Sequence, residues 1–202
     1  MGDHYYSETP LSAHEMRTFS FVFQGRELCF ETDAGVFSKA HVDKGTALLG
    51  KSLPDAFTGR ALDLGCGWGA LGAMMGVKWP QASIDMVDIN ARAVALAQKN
   101  MQRNQLLAHV YQSDGLLQTE GLFDIIVSNP PIRAGKAVLH ALYAQSIQRL
   151  SPGGKLFLVV RKQQGAESTL SLIKERMYRA EVINRSGGFW VIQGEKGAEE
   201  ER

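Results

Sequence analysis

The chain is poor in cysteine and proline, with only Cys29 and Cys66 and six prolines in 202 residues. Two widely separated cysteines make neither a disulfide framework nor a zinc-ligand spacing. The five histidines (4, 14, 41, 109 and 140) are scattered without a ligand pair, so no metal is expected. No segment approaches the roughly 18 consecutive apolar residues of a membrane span. The opening MGDHYYSETP lacks the apolar stretch of a signal peptide, and Tyr6 stands where a myristoylation motif needs Ser or Thr. These absences predict a cytoplasmic protein without membrane or metal. With 45% hydrophobic residues, one domain with a proper core is expected.

Charge of one sign is also missing overall, since the net charge is +1. Its distribution is uneven. Residues 1–132 carry 10 Lys/Arg and 14 Asp/Glu, whereas residues 133–185 carry 10 Lys/Arg and 3 Asp/Glu. A positive stretch of this kind is either a solvated face or a phosphate-binding surface.

What is present is order. FSFVFQGRELCFETD (19–33) reads as an antiparallel hairpin, and a turn and short helix follow. From residue 61 short apolar strands alternate with amphipathic helices. Strands are expected at 61–65, 83–88, 109–114, 123–129, 155–161, 181–186 and 188–195, and helices at 68–79, 90–105, 135–150 and about 164–178. Such alternation predicts an α/β fold with a mostly parallel seven-stranded sheet and helices on both faces. The close final pair predicts an antiparallel last strand. The division read from this pattern is an N-terminal hairpin and helix extension (1–52), a core (53–195) and a frayed tail (196–202).

Ligands of such sheets bind beyond the carboxyl ends of the strands. Those ends are Gly65, Asp88, Asp114 and Asn129, all small or polar. In DLGCGWGALG (63–72) Gly65, Gly67 and Gly69 permit a sharp turn and close ligand approach. The pattern through Gly72 also matches a dinucleotide fingerprint, but Asp63 just before the glycines favours another nucleoside ligand. Asp88 is placed to accept ribose hydroxyls, and Asp114 to accept from an adenine amine. In FDIIVSNPPIRAG (123–135) two prolines end a buried strand and leave Asn129 stiffly held.

DLGCGWG, Asp88, Asp114 and NPPI together resemble the Rossmann-like S-adenosylmethionine-dependent methyltransferases. More narrowly, DAGVFSKAHVDKGTALL (33–49), NPPIRAGK (129–136) and VVRKQQGA (159–166) resemble the methyltransferase small-domain family, which includes ribosomal RNA guanine-N(2) methyltransferases. The resemblance implies S-adenosyl-L-methionine as cofactor, held by Asp63, Gly65, Cys66, Gly67, Gly69, Asp88, Ile89, Asp114, Gly115 and Asn129. It implies that Asn129, Pro130, Pro131 and Ile132 form the catalytic turn, with the Asn129 side-chain oxygen and the Pro130 carbonyl accepting from a substrate amino group. Many relatives place an aromatic after the prolines to stack on the target base. Here that residue is Ile132, so stacking is expected from Phe37 or replaced by apolar contact. Known ribosomal RNA enzymes of the family carry two such halves and this chain has one; a homodimer would supply the missing surface.

The expected substrate is a guanine amine in ribosomal RNA or a ribosomal subunit. Arg133, Lys136, Arg161 and Lys162 of the positive stretch are expected to contact RNA phosphates, with Phe37, Ser38 and Lys39 beside them. The same chemistry on glutamine in a translation factor, or on adenine, lacks a recognition segment here. A non-catalytic RNA- or nucleotide-binding module would have no use for the intact Asn-Pro-Pro, and a dinucleotide oxidoreductase ranks last.

Overall fold

The computed structural model describes residues 15–33, 36 and 41–198. Its element order is β1 (Arg17–Phe23), β2 (Arg26–Thr32), α1 (Lys44–Ser52), β3 (Arg60–Leu64), α2 (Ala70–Lys78), β4 (Ser83–Asp88), α3 (Ala91–Arg103), β5 (His109–Gln112), β6 (Phe123–Ser128), α4 (Lys136–Arg149), β7 (Leu150–Arg161), α5 (Ala166–Arg176), β8 (Arg179–Ser186) and β9 (Phe189–Glu195). The first two strands form an antiparallel hairpin. The other seven form one sheet in the order β5-β4-β3-β6-β7-β9-β8. The last strand is antiparallel to both neighbours, as expected, and slots between β7 and β8.

Alternation along the strands divides the core in two. Ala61, Met86, Ile125, Val127, Phe157 and Val159 face α1, α2, α3 and the hairpin. Leu62, Val87, Ile126, Leu156 and Leu158 face α4 and α5. Central strands buried on both faces read as continuous apolar runs, which is why β6 and β7 are so plain in the sequence. Each fully buried Leu, Ile or Met contributes about 1.5–3 kcal/mol. Eight of the nine residues of α2 are buried. Close packing explains its Gly72, because a Cβ there would lie 2.4 Å from the Met86 sulfur.

Among the described residues the hairpin has no strand partner on the β2 side and is held by α3 instead. Asn104 Oδ1 accepts from Cys29 N–H, and its Nδ2 donates to Cys29 O, both at 2.8 Å. Asn100 makes the same pair with the backbone of Glu31, again at 2.8 Å. One helical turn of four residues rises about 6 Å, close to the roughly 6.8 Å spanned by two strand residues. Two side-chain amides thus satisfy backbone groups that a third strand would have paired.

Most element ends lie within one or two residues of expectation, and two departures have a visible cause. β7 begins at Leu150 instead of 155, because Ser151–Gly154 stays extended around a register shift between Phe123 and Ile125 on β6. Lys196 and Gly197, assigned to the tail, are tied to the sheet: Lys196 N–H donates to Gly154 O (2.9 Å), and Gly153 N–H reaches both their carbonyls.

Candidate active site

The carboxyl ends of β3, β4 and β6 and the N-terminus of α1 surround one cavity of about 460 Å³. On one wall β3 leaves Asp63 fully buried and then turns through Gly65, Gly67 and Gly69, all with positive φ. The N–H groups of Gly65 and Cys66 both donate to Val87 O at 2.9 Å. Among the described residues no atom lies within 4 Å of a Cβ built at Gly65 or Gly67, so their bare backbone fronts open space. Gly69 does not line the cavity; it caps α2, and a Cβ there would crowd the Ala97 backbone at 3.2 Å. Trp68, missed in the sequence, lines the cavity while its ring packs edge-on against Phe19 and Phe30 of the hairpin. Asn100 Nδ2 also donates to Trp68 O (2.8 Å), so α3 fastens the hairpin and the glycine turn together.

Two carboxylates set the electrostatics. Burial pushes the Asp63 carboxyl up to about 7; the Gly72 N–H pulls it back, and Asp88 adds to the rise. One oxygen of Asp63, Oδ2, is buried without a hydrogen-bond partner, a costly state unless a ligand supplies a donor. Asp88 accepts from Gly67 N–H through Oδ2 and from Asn90 N–H through Oδ1, each at 2.9 Å. Its burial raises its pKa, and these amides oppose the rise. Asp88 therefore braces the turn as well as facing the cavity. Burial also drives the Cys66 thiol well up, with Asp88 and Asp63 adding to it, so this cysteine is no thiolate nucleophile. Ile89, Asp114 and Gly115 line the same wall, with Asp114 at the exposed rim.

The opposite wall is the end of β6. Pro131 has φ −75° and ψ 80°, and Ile132 N–H donates back to Pro130 O at 2.9 Å. This inverse γ-turn uses one lone pair of the Pro130 carbonyl and leaves the other. Asn129, Pro130 and Pro131 line the cavity, whereas Ile132 packs into the core beneath α4. Its place is taken by Ala134, Val138 and Leu142, an apolar patch that the sequence reading missed. Asp43 and Thr46 of the α1 N-terminus, also missed, reach across to the Asn129 amide nitrogen. Asn129 lies 86 residues from Asp43 and 83 from Thr46 along the chain.

Lys136, Arg161 and Lys162 lie outside the cavity. Lys136 opens α4 and is exposed. Arg161 stacks over the Phe189 ring at 4.6 Å, and Lys162 follows it, exposed. Arg133 lies in a single 3-10 turn between Pro131 and Gly135. Phe37, Ser38 and Lys39 lie outside the described residues.

Residues 27–193 match the model of the methyltransferase small domain. The chain belongs to the methyltransferase small-domain family. Within it, the uncharacterized protein YbxB of Bacillus subtilis is 36% identical over 97% of this chain and its own full length. The ribosomal RNA small subunit methyltransferase C of Haemophilus influenzae is 39% identical over 78% of this chain and 48% of its own. The T. thermophilus 16S rRNA N2 G1207 methyltransferase, solved in complex with AdoMet and guanosine, superposes with a TM-score of 0.80 at 32% identity. It aligns over 93% of this chain and 52% of that one. The chain thus spans about half the length of these ribosomal RNA relatives. As a family member it carries the expected α/β sheet with its antiparallel last strand. Among the described residues no helix is long and apolar enough to cross a membrane.

Proposed function

We propose that the protein is an S-adenosylmethionine-dependent N-methyltransferase acting on the exocyclic amine of a guanine in ribosomal RNA, in the cytoplasm. One observation carries this reading: a single cavity joins a buried carboxylate, one of whose oxygens has no partner among the described residues, and a bare glycine turn to a rigid amide acceptor. The T. thermophilus relative, solved with AdoMet and guanosine bound, supports the same pairing of ligands.

The residues present fit the cofactor. Asp63 Oδ2 offers a buried acceptor for its ammonium, the open face at Gly65 and Gly67 accommodates close backbone approach, and Asp88 and Asp114, which line the same cavity, would accept from its ribose and adenine donors. When bound, this cofactor supplies an electrophilic sulfonium methyl group. The chain's own task is to present a nitrogen. Asn129 Oδ1 and the free lone pair of Pro130 O accept the two amine hydrogens, which fixes the direction of the nitrogen lone pair. The prolines fix the backbone that carries both acceptors. Pro131, Ala134, Val138 and Leu142 give the base an apolar surface where Ile132 does not reach. Arg133, Lys136, Arg161 and Lys162 then meet the RNA backbone outside the cavity.

The test is transfer of labelled methyl groups to ribosomal RNA, isolated subunits and protein extract, with the labelled product digested and identified. N(2)-methylguanosine is the expected product. Label in another nucleoside or in protein overturns the substrate, and cofactor binding without any transfer overturns the enzyme reading.

A further inference from the structure

The Asn129 carboxamide has two ends of nearly equal size and opposite hydrogen-bonding character. Only the oxygen end can accept from an amine; the nitrogen end would meet it donor to donor. Prolines on the following residues fix the backbone but leave this side-chain choice open. We propose that Asp43 and Thr46, at the N-terminus of α1, are positioning residues that make this choice and hold Asn129 Oδ1 toward the substrate. The proposal rests on the methyltransferase reading of the cavity.

The argument lies in the partners of one atom. Asn129 Nδ2 donates to Thr46 Oγ1 at 2.9 Å and to Asp43 Oδ2 at 3.3 Å. A hydroxyl alone would not settle the orientation, because it can donate or accept. A carboxylate only accepts, so Asp43 selects the nitrogen end. Asp43 is itself fixed as the helix cap: Oδ2 accepts from Gly45 N–H (2.8 Å) and Thr46 N–H (3.2 Å). Thr46 is 8% exposed, so water competes poorly for its hydroxyl. Both residues line the cavity beside Asn129. The charge on the nitrogen side also polarises the amide toward its oxygen, which strengthens the acceptor facing the substrate.

Gly45 makes the arrangement sterically possible. A Cβ there would stand 2.9 Å from Asp43 Oδ2 and 2.8 Å from the Phe189 ring. The carboxylate therefore folds over a residue with no side chain and stays within reach of β6. The α1 N-terminus is in this sense part of the catalytic apparatus, although it precedes the glycine turn in the chain.

The experiment uses the full chain and its Thr46→Val, Thr46→Ser, Asn129→Ala and Asn129→Ala/Thr46→Val variants. Methyl transfer to ribosomal RNA gives kcat and KM, calorimetry gives cofactor affinity, and ¹⁵N spectra follow the Asn129 side-chain amide. Thr46→Val is expected to lower kcat by about 10–100-fold, the scale of a misaligned reacting group, with cofactor Kd unchanged. Thr46→Ser restores kcat, and Thr46→Val adds nothing in the Asn129→Ala background, because its only route of action is gone. The Nδ2 proton resonances shift in Thr46→Val and return in Thr46→Ser, whatever the acceptor turns out to be. Full kcat in Thr46→Val, and again after Asp43→Ala is added to it, with a dead Asn129→Ala overturns this proposal and leaves the site reading intact. Full kcat in Asn129→Ala overturns both. Unshifted Nδ2 resonances in Thr46→Val overturn the contact itself.

Discussion

The two walls of the cavity are rigid for opposite reasons. The glycine wall is shaped by backbone: Gly65 and Cys66 hang from Val87 O, and Gly67 from the Asp88 carboxylate. The Asn-Pro-Pro wall is shaped by proline rings that hold a γ-turn at Pro131 and by a side-chain amide gripped by α1. The first presents bare backbone at Gly65 and Gly67 that a ligand can approach closely. The second presents one acceptor with a fixed direction. Binding thus depends on how many groups line up, and transfer depends on whether one atom is aimed.

Substitutions should separate the walls. The largest effect is expected from Asn129→Ala, which removes a preorganised acceptor; such losses cost about 10²–10³-fold in kcat, with cofactor Kd nearly unchanged by calorimetry. A parallel loss of affinity would merge the two walls into one function. Asp88→Ala acts on the other side: it removes hydrogen bonds to a charged group worth about 1.5–3 kcal/mol each, so cofactor affinity should fall at least tenfold and the melting temperature should drop too. A stable Asp88→Ala protein would remove its role as a brace.

The Asp63 carboxyl gives a pH test of the glycine wall. Raised from 3.8 to about 7, it keeps in the folded state a proton that the unfolded chain has already lost. Its contribution to stability is therefore present below about pH 4 and lost as pH rises to about 7. An ammonium bound there requires the ionised form. Cofactor affinity should then climb about tenfold per unit as pH approaches 7 and flatten above it, with proton uptake by buffer. Asp63→Asn should abolish the slope, and a persisting slope would assign it to another group. The smallest effect belongs outside the cavity. Removing Arg161 or Lys162 should reduce the salt dependence of RNA binding by about one unit of slope each and leave cofactor binding alone; an unchanged slope would make them ordinary solvated residues.

Most of the glycine wall was legible in the sequence because its logic is local. Strand, turn and helix follow one another within ten residues, and strand ends mark the sites. The same locality exposed the Asn-Pro-Pro turn. What stayed hidden is contact across long separations: Asp43 and Thr46 on Asn129, the hairpin aromatics on Trp68, and the apolar patch from α4 that lies where Ile132 was expected. A residue's type and spacing say nothing about which distant element will stand beside it. The early start of β7 was missed for a different reason, since Ser-Pro-Gly-Gly is turn chemistry that the sheet context overrode.

The paired asparagines of α3 bear on how copies of this chain behave when crowded. A two-stranded ribbon is an invitation to strand exchange, because each unpaired edge can template another chain. Along β2 that invitation is withdrawn at Cys29 and Glu31, whose donors and acceptors are already taken by Asn104 and Asn100. Replacing these amides with leucines of similar bulk would leave the helix intact and the core apolar. It would also reopen the edge, and aggregation during folding would be the first symptom.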